Sequence, residues 1–225
     1  MSATTTRERP QPYGAVAAFV HERVTALQRD YLRDRPGAVA ALARLRRGAG
    51  RTLAEVPDLW GLAGGPELYD VRPPSHDSAR AEAAQEQVET AAHIALTLFA
   101  VHQQSRRDAG MHRPGRGLGG AVRRLMPGND IDEPLRKRFV QAGSATTTAT
   151  LAYRLREIVV LLRGESIPLD YGLLAGQLHT FQQPGGINRV RLAWARDFHA
   201  HRDRAVQAAD DSAVPDVDTT AKDQP

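Results

Sequence analysis

Apolar positions recur along this chain at helical spacing, in separate blocks. Val16, Val20, Val24, Leu27 and Tyr31 follow at steps of four, four, three and four, which puts them on one face of a helix over residues 14–33. Asp34-Arg-Pro-Gly stops that helix, and Pro36 opens the next one, where its missing N–H costs nothing. The second helix, 37–47, turns Val39, Leu42 and Leu45 inward and ends at RLRRG, with Gly48 as its expected C-cap. Residues 49–74 mix Gly and Pro with short apolar groups, so they predict helical turns around Trp60 joined by irregular chain.

A long helix is predicted over 78–107. Glu82, Glu86 and Glu89 lie in its first half and Arg106 and Arg107 at its end, which suits the helix dipole. Val88, Ala92, Ala95, Leu98 or Phe99, and His102 mark its buried stripe. DAGMHRPGRGLGG then reads as a glycine-rich basic loop, followed by a short helix AVRRLM. Pro134 starts a helix to about Ala142. Thr146–Thr148 offer N-caps for a helix to Arg163 whose core face is Leu151, Leu155, Ile158, Val159 and Leu162. Asp170 caps a helix to Phe181, and QQPGG turns the chain into a last helix, Ile187 to Arg204. No segment alternates apolar and polar residues through a β-branched run. The pattern predicts an all-α protein of about seven to nine helices with no sheet. It forms two small helical bundles, 14–143 and 144–206, between a disordered N-terminus (1–13) and a disordered acidic tail (207–225).

Composition narrows the function. The chain has no cysteine, which removes disulfides, thiol nucleophiles and thiolate metal sites and suits a cytoplasmic protein. No apolar run approaches the ~20 residues that span a bilayer, and MSATTTRERPQP lacks the apolar core of a secretory signal. Aromatics are only 5%, too few for large base-stacking platforms. The net charge of +4 hides an asymmetry. Residues 207–225 carry five aspartates against Lys222 alone, a net −4, which leaves +8 on residues 1–206. The tail is expected to lower non-specific binding by screening that surface.

The enzyme motifs fail on context. GRGLGG, 115–120, matches G-x-G-x-x-G literally, but no strand leads into it, so it is not a dinucleotide fingerprint. No Gly-Lys pair exists for a Walker A loop, and HERVT lacks the second histidine of a zinc protease motif. His199 and His201 stand two apart on a helix, about 200° around it, so they do not share an ion. No catalytic set, metal or cofactor is predicted.

What remains is arginine. Arg44, Arg46 and Arg47 end the second helix. Arg106, Arg107, Arg113, Arg116, Arg123 and Arg124 surround the glycine-rich loop, and Arg136, Lys137 and Arg138 follow. In the last helix Ile187, Val190, Trp194 and Phe198 share one face, and Arg189 and Arg196 the opposite one. Arg191 flanks the apolar stripe and is expected to pair with an acidic residue such as Asp170 or Asp197. Such a cluster can be a set of solvated helix faces. A flexible glycine-rich loop with flanking arginines can also follow a phosphate backbone, through guanidinium forks and backbone N–H groups. For the loop cluster we favour binding.

Four blocks in this order, RLRRG, HRPGRGLGGAVRRL, LREIVVLLRGESIPLDYGLLAGQL and NRVRLAWARDF, resemble the CasB family, the small subunit of the type I-E CRISPR complex Cascade. The resemblance covers roughly residues 15–200 and is most specific in IPLDYGLLAGQL and RVRLAWARDF. Ala195 stands where the family often has Gly, and His199 where it often has Tyr; residues 49–77 and the acidic tail have no match. The resemblance implies an all-α, two-domain, non-catalytic protein. Its members act as a dimer along a crRNA-guided complex, contact the backbones of crRNA and of target or displaced DNA, and help hold the R-loop open beside other Cascade subunits. Base pairing reads the sequence there, so the protein need only supply positive charge. Three other readings stay open. The first is a sequence-specific regulator in which helices 170–181 and 187–204 form a helix-turn-helix, with Asn188, Arg189 and Arg191 in a major groove. The others are an enzyme of unrecognised type and an adaptor whose arginines are only solvated.

Overall fold

The computed structural model describes residues 14–64, 68, 77–126 and 130–212, with side chains up to residue 200. Among them stand nine α-helices: α1 (Gly14–Leu32), α2 (Pro36–Gly48), α3 (Trp60–Ala63), α4 (Ser78–Gln103), α5 (Leu118–Arg124), α6 (Glu133–Gly143), α7 (Thr148–Gly164), α8 (Tyr171–Phe181) and α9 (Gly186–Ser212). Two 3₁₀ turns, Leu53–Glu55 and Pro57–Leu59, fill the segment before α3. No strand occurs among the described residues. Extended pairing is limited to one isolated bridge between His112 and Leu169. The all-α expectation holds. What was expected of residues 1–13 and 213–225 lies outside the described residues, while α9 continues to Ser212, beyond the Arg204 at which its apolar period ends.

Helix starts follow their side chains. Asp77 accepts the N–H groups of Ala79 and Arg80 at the head of α4, and Asp132 that of Leu135 at α6. Thr147 accepts from Thr150 at α7, and Asp170 from Leu173 at α8. Each cap satisfies a donor that the first helical turn leaves open. On α1, Val16, Val20, Val24 and Tyr31 are buried as their spacing required, and Leu27 is half-buried.

The core is built around α4. Between Ala91 and Gln103 every residue but Ile94 is buried, so this half of the helix is covered all round rather than along one stripe. It contacts α1, α2, α7 and α8. One hydrophobic cluster runs from Val16 on α1 through α4, α7 and α8 to Phe198 on α9.

Two sequence readings change. Gly48 does not cap α2 as a left-handed residue. It is the last helical residue, and a Cβ there would lie 2.3 Å from Leu59 Cδ1, so a larger residue would displace the buried Leu59 side chain. The long helix ends at Gln103, not 107, because Ser105 turns into the left-handed region at φ 62°. Arg106 therefore lies past the end of α4. Its guanidinium donates instead to the carbonyls of Arg163 and Gly164, closing the C-terminus of α7.

Candidate nucleic-acid interface

The glycine-rich loop is pinned along its length. Gln103, fully buried, accepts the Met111 N–H at 2.9 Å and donates to the carbonyls of Arg106 and Ala109. Gln28 on α1 brackets His112, accepting its N–H at 2.7 Å and donating to its carbonyl at 3.1 Å. The His112 ring has a fixed tautomer. Its Nδ1 accepts the Tyr171 N–H, so the proton sits on Nε2, which donates to His21 Nδ1 at 3.0 Å. Beyond it, the Leu169 carbonyl accepts the Arg113 N–H, and the Asp170 carboxylate accepts that of Gly115 at 2.8 Å. Asp197 on α9 accepts the Gly120 N–H at 2.8 Å.

Gly115 serves the turn, at φ +76°, and the other glycines of GRGLGG serve packing. A Cβ on Gly117 would lie 2.3 Å from Asp197 Oδ2, and one on Gly119 would lie 2.2 Å from the Trp194 carbonyl oxygen. This stretch lets α5 lie directly on α9. The expected flexible loop offering its N–H groups to phosphate is corrected here. The segment is anchored, and the amides of Arg113, Gly115, Arg116 and Gly120 already have internal acceptors.

The arginines fall into distinct settings. Arg113 is exposed and Arg116 half-exposed, at the two ends of the Pro114–Gly115 turn. Arg138 is exposed on α6, where neighbouring Phe139 stacks on Phe198 with ring centroids 5.5 Å apart. Arg196 is exposed on α9. None of these four makes an ion pair among the described residues. α5 and α6 meet α9 at Trp194 and Phe198, while Arg196 stands on the opposite, exposed face of α9. Lys137 is exposed beside Arg138, and Arg124 is half-buried. Arg123 is only 3% exposed, so this conformation withholds it from a polyanion.

Other candidates lie elsewhere or are engaged. Arg44 and Arg47 are exposed and Arg46 half-buried on α2, which packs against α1 and α4; Arg47 reaches Asp58 at 3.7 Å. Arg107 pairs with Asp34 and lies over the Tyr31 ring. Arg136 pairs with Glu133 at 2.8 Å, and exposed Arg189 leans on the Pro184 carbonyl. Arg191 pairs with neither Asp170 nor Asp197. It is half-buried and donates to the carbonyls of Gly143 and Ala145, capping the C-terminus of α6. Replacing Arg191 by Met should keep the packed stem and leave those carbonyls unpaired. Chemical denaturation should show a loss of about 1–2 kcal/mol, with nucleic-acid affinity unchanged.

The comparisons with known proteins bear on the family and the fold. The family model for CRISPR-associated protein Cse2 matches residues 41–199. The chain belongs to the Cse2 family. A crystal structure of CasB from Thermobifida fusca is 57% identical and superposes with a TM-score of 0.73, over 82% of this chain and 97% of that one. A chain of a CRISPR RNA-guided surveillance complex shares the fold at 19% identity, with a TM-score of 0.58 over 84% of this chain and 99% of that one. No curated protein matches closely. The CasB resemblance carried by the four sequence blocks is therefore correct, and the Cse2 match takes in all of α4 to α8.

Among the described residues no group of three or more His, Asp or Glu is placed to hold a metal, and no helix is long and apolar enough to cross a membrane. Buried histidines are structural. Burial holds His102 down to about 3, beside the Tyr171 hydroxyl, and His112 down to about 4, against the opposing pull of Asp170. The unfolded chain takes up these protons below about pH 6.5, whereas the folded chain does not. Stability is therefore complete above that pH and falls below it, by up to about 1.4 kcal/mol per histidine per pH unit, levelling near pH 4 and then 3. Urea titrations at pH 7.5 and 5.5 check this; equal midpoints would contradict it.

Sequence reading missed Asp197, Gln28 and Gln103 as loop anchors. Each acts on backbone far away along the chain or around a sharp bend, without a local signature. Asp170 was legible as a cap but not as the Gly115 acceptor. The Pro114–Gly115 pair was the one available turn signal.

Proposed function

We propose that this chain is a non-catalytic, sequence-independent nucleic-acid-binding small subunit of a crRNA-guided type I-E Cascade complex. It works in the cytoplasm, as a homodimer within the complex, beside other Cascade subunits. Its arginines contact the backbones of crRNA and of target or displaced DNA and stabilise the R-loop in antiviral defence. Membership of the Cse2 family supports the assembly. The observation that carries the binding role is the set of four exposed or half-exposed cations, Arg113, Arg116, Arg138 and Arg196, which have no carboxylate partner among the described residues. R-loop formation is close to balanced in free energy, so a few backbone contacts are enough to tip it.

Two measurements test this reading. Purification from cells expressing the whole system should co-elute the chain with a guide RNA and the other subunits. Binding by that complex to DNA outside the guide-paired region should weaken steeply with salt and show no preference among unrelated sequences. A chain that elutes alone, or binding insensitive to salt, would count against it. The helix-turn-helix alternative gains no support, because Arg191 is turned into α6 rather than toward a groove.

A further inference from the structure

Arg113 and Arg116 stand at the first and fourth positions of a β-turn. The Arg113 carbonyl accepts the Arg116 N–H at 3.3 Å, with Pro114 second and Gly115 third at φ +76°. Such a turn brings its end Cα atoms within about 7 Å, so the two guanidinium stems leave the surface side by side. Two half-buried carboxylates hold the backbone here, Asp170 at the turn and Asp197 just after it. One oxygen of Asp170 accepts the Gly115 N–H at 2.8 Å and the other the Leu173 N–H at 3.0 Å, while the Asp170 N–H donates to the Arg116 carbonyl at 2.7 Å. Asp197 accepts the Gly120 N–H at 2.8 Å. Neither carboxylate ion-pairs with an arginine among the described residues. That is unexpected next to unpartnered guanidiniums, unless the carboxylates are committed to the backbone.

We infer that Asp170 and Asp197 are the positioning residues of this interface. By binding the amides of Gly115 and Gly120, they hold the Arg113–Arg116 turn in one outward pose and fill the loop's own anion donors. A polyanion then meets side-chain cations on an already ordered backbone, and no loop-ordering cost falls on binding. The inference rests on the reading that this loop meets nucleic acid.

Substitution separates positioning from plain charge. In Asp170→Asn the single carbonyl oxygen can still cap α8, since Asn and Asp cap alike, and its NH₂ then opposes the Gly115 N–H. Asp197→Ala removes the Gly120 acceptor, and Asp197→Asn keeps one. Hydrogen–deuterium exchange on the full chain should speed up at Gly115 at least tenfold in D170N, with the α8 amides unchanged. It should speed up likewise at Gly120 in D197A and stay near wild type in D197N. In complexes assembled with guide RNA and probed with mixed-sequence duplex DNA, D170N and D197A should bind about 3- to 10-fold more weakly, although each has lost a negative charge. Their salt slope should fall by about one phosphate, roughly 0.9. D197N should bind at least as tightly as wild type. Binding by D170N and D197A as tight as wild type or tighter would overturn the positioning role and leave the interface standing. A wild-type complex with no salt-sensitive binding would instead sink the interface itself, and the positioning role with it.

Discussion

Replacing Arg113, Arg116, Arg138 and Arg196 together by glutamine should weaken DNA binding by the assembled complex on the order of a thousandfold at low salt, with the fold intact. Each phosphate contact by an exposed guanidinium is worth about 1 kcal/mol, and about 1.4 kcal/mol is a factor of ten, so four contacts reach that range. The slope of log affinity against log salt should fall by about 3.6, at about 0.9 per phosphate on duplex. These four side chains are exposed or half-exposed and hold no ion pair among the described residues, so their loss leaves the core untouched. The matched control is Arg107→Gln with Arg136→Gln. Those arginines already have Asp34 and Glu133 as partners, and their loss should change affinity by less than about tenfold. Filter binding across a salt series decides. An unchanged slope in the fourfold variant would place the interface elsewhere on the molecule.

Gly119→Ala should be among the most damaging single changes in the chain. The added methyl would meet the Trp194 carbonyl oxygen at 2.2 Å and the Phe198 nitrogen at 2.5 Å. Both are main-chain atoms of a helix, so neither can swing aside as a flexible side chain would. Either α5 lifts off α9 or both helices bend, at a cost of about 3 kcal/mol or more. Lifting α5 would also draw Gly120 from Asp197 and uncover Trp194. Gly143→Ala, with nothing within 4 Å of the new methyl, should stay within about 1 kcal/mol of wild type. Thermal unfolding of the two variants side by side gives the contrast. Equal midpoints would show that α5 and α9 are not packed this closely.

Much of the fold was legible in the sequence, because the signals that set it are local. The apolar stripe of α1, the Thr147 and Asp170 caps and the core face of α7 each follow from residues of a single helix and its cap. The failures have a common cause. Arg106 looked like a partner of its own helix dipole, but the carbonyls it closes belong to a helix that begins some 40 residues later. GRGLGG looked like a phosphate loop, because glycine spacing alone does not tell close backbone packing from ligand binding. The deciding atoms, those of Trp194, Asp197 and Phe198, come from a distant helix. Arg191 was rightly set apart from Arg189 and Arg196 by its place on the wheel. Its actual partners are main-chain oxygens, which sequence does not advertise. The arginine clusters were visible as residues, but which of them were already engaged was not.

His112 is held through its amide and carbonyl by Gln28 and through its ring by Tyr171 and His21. Four attachments on one residue leave few independent substitutions. A glutamate at 28 would set a carboxylate against a carbonyl, and a proline at 171 would strip the N–H that fixes the ring. Neither loss could be repaired at its own site. In the language of mutational coupling, residues 21, 28, 112 and 171 form one non-additive block. Paired substitutions within this set are expected to depart from the sum of their single effects.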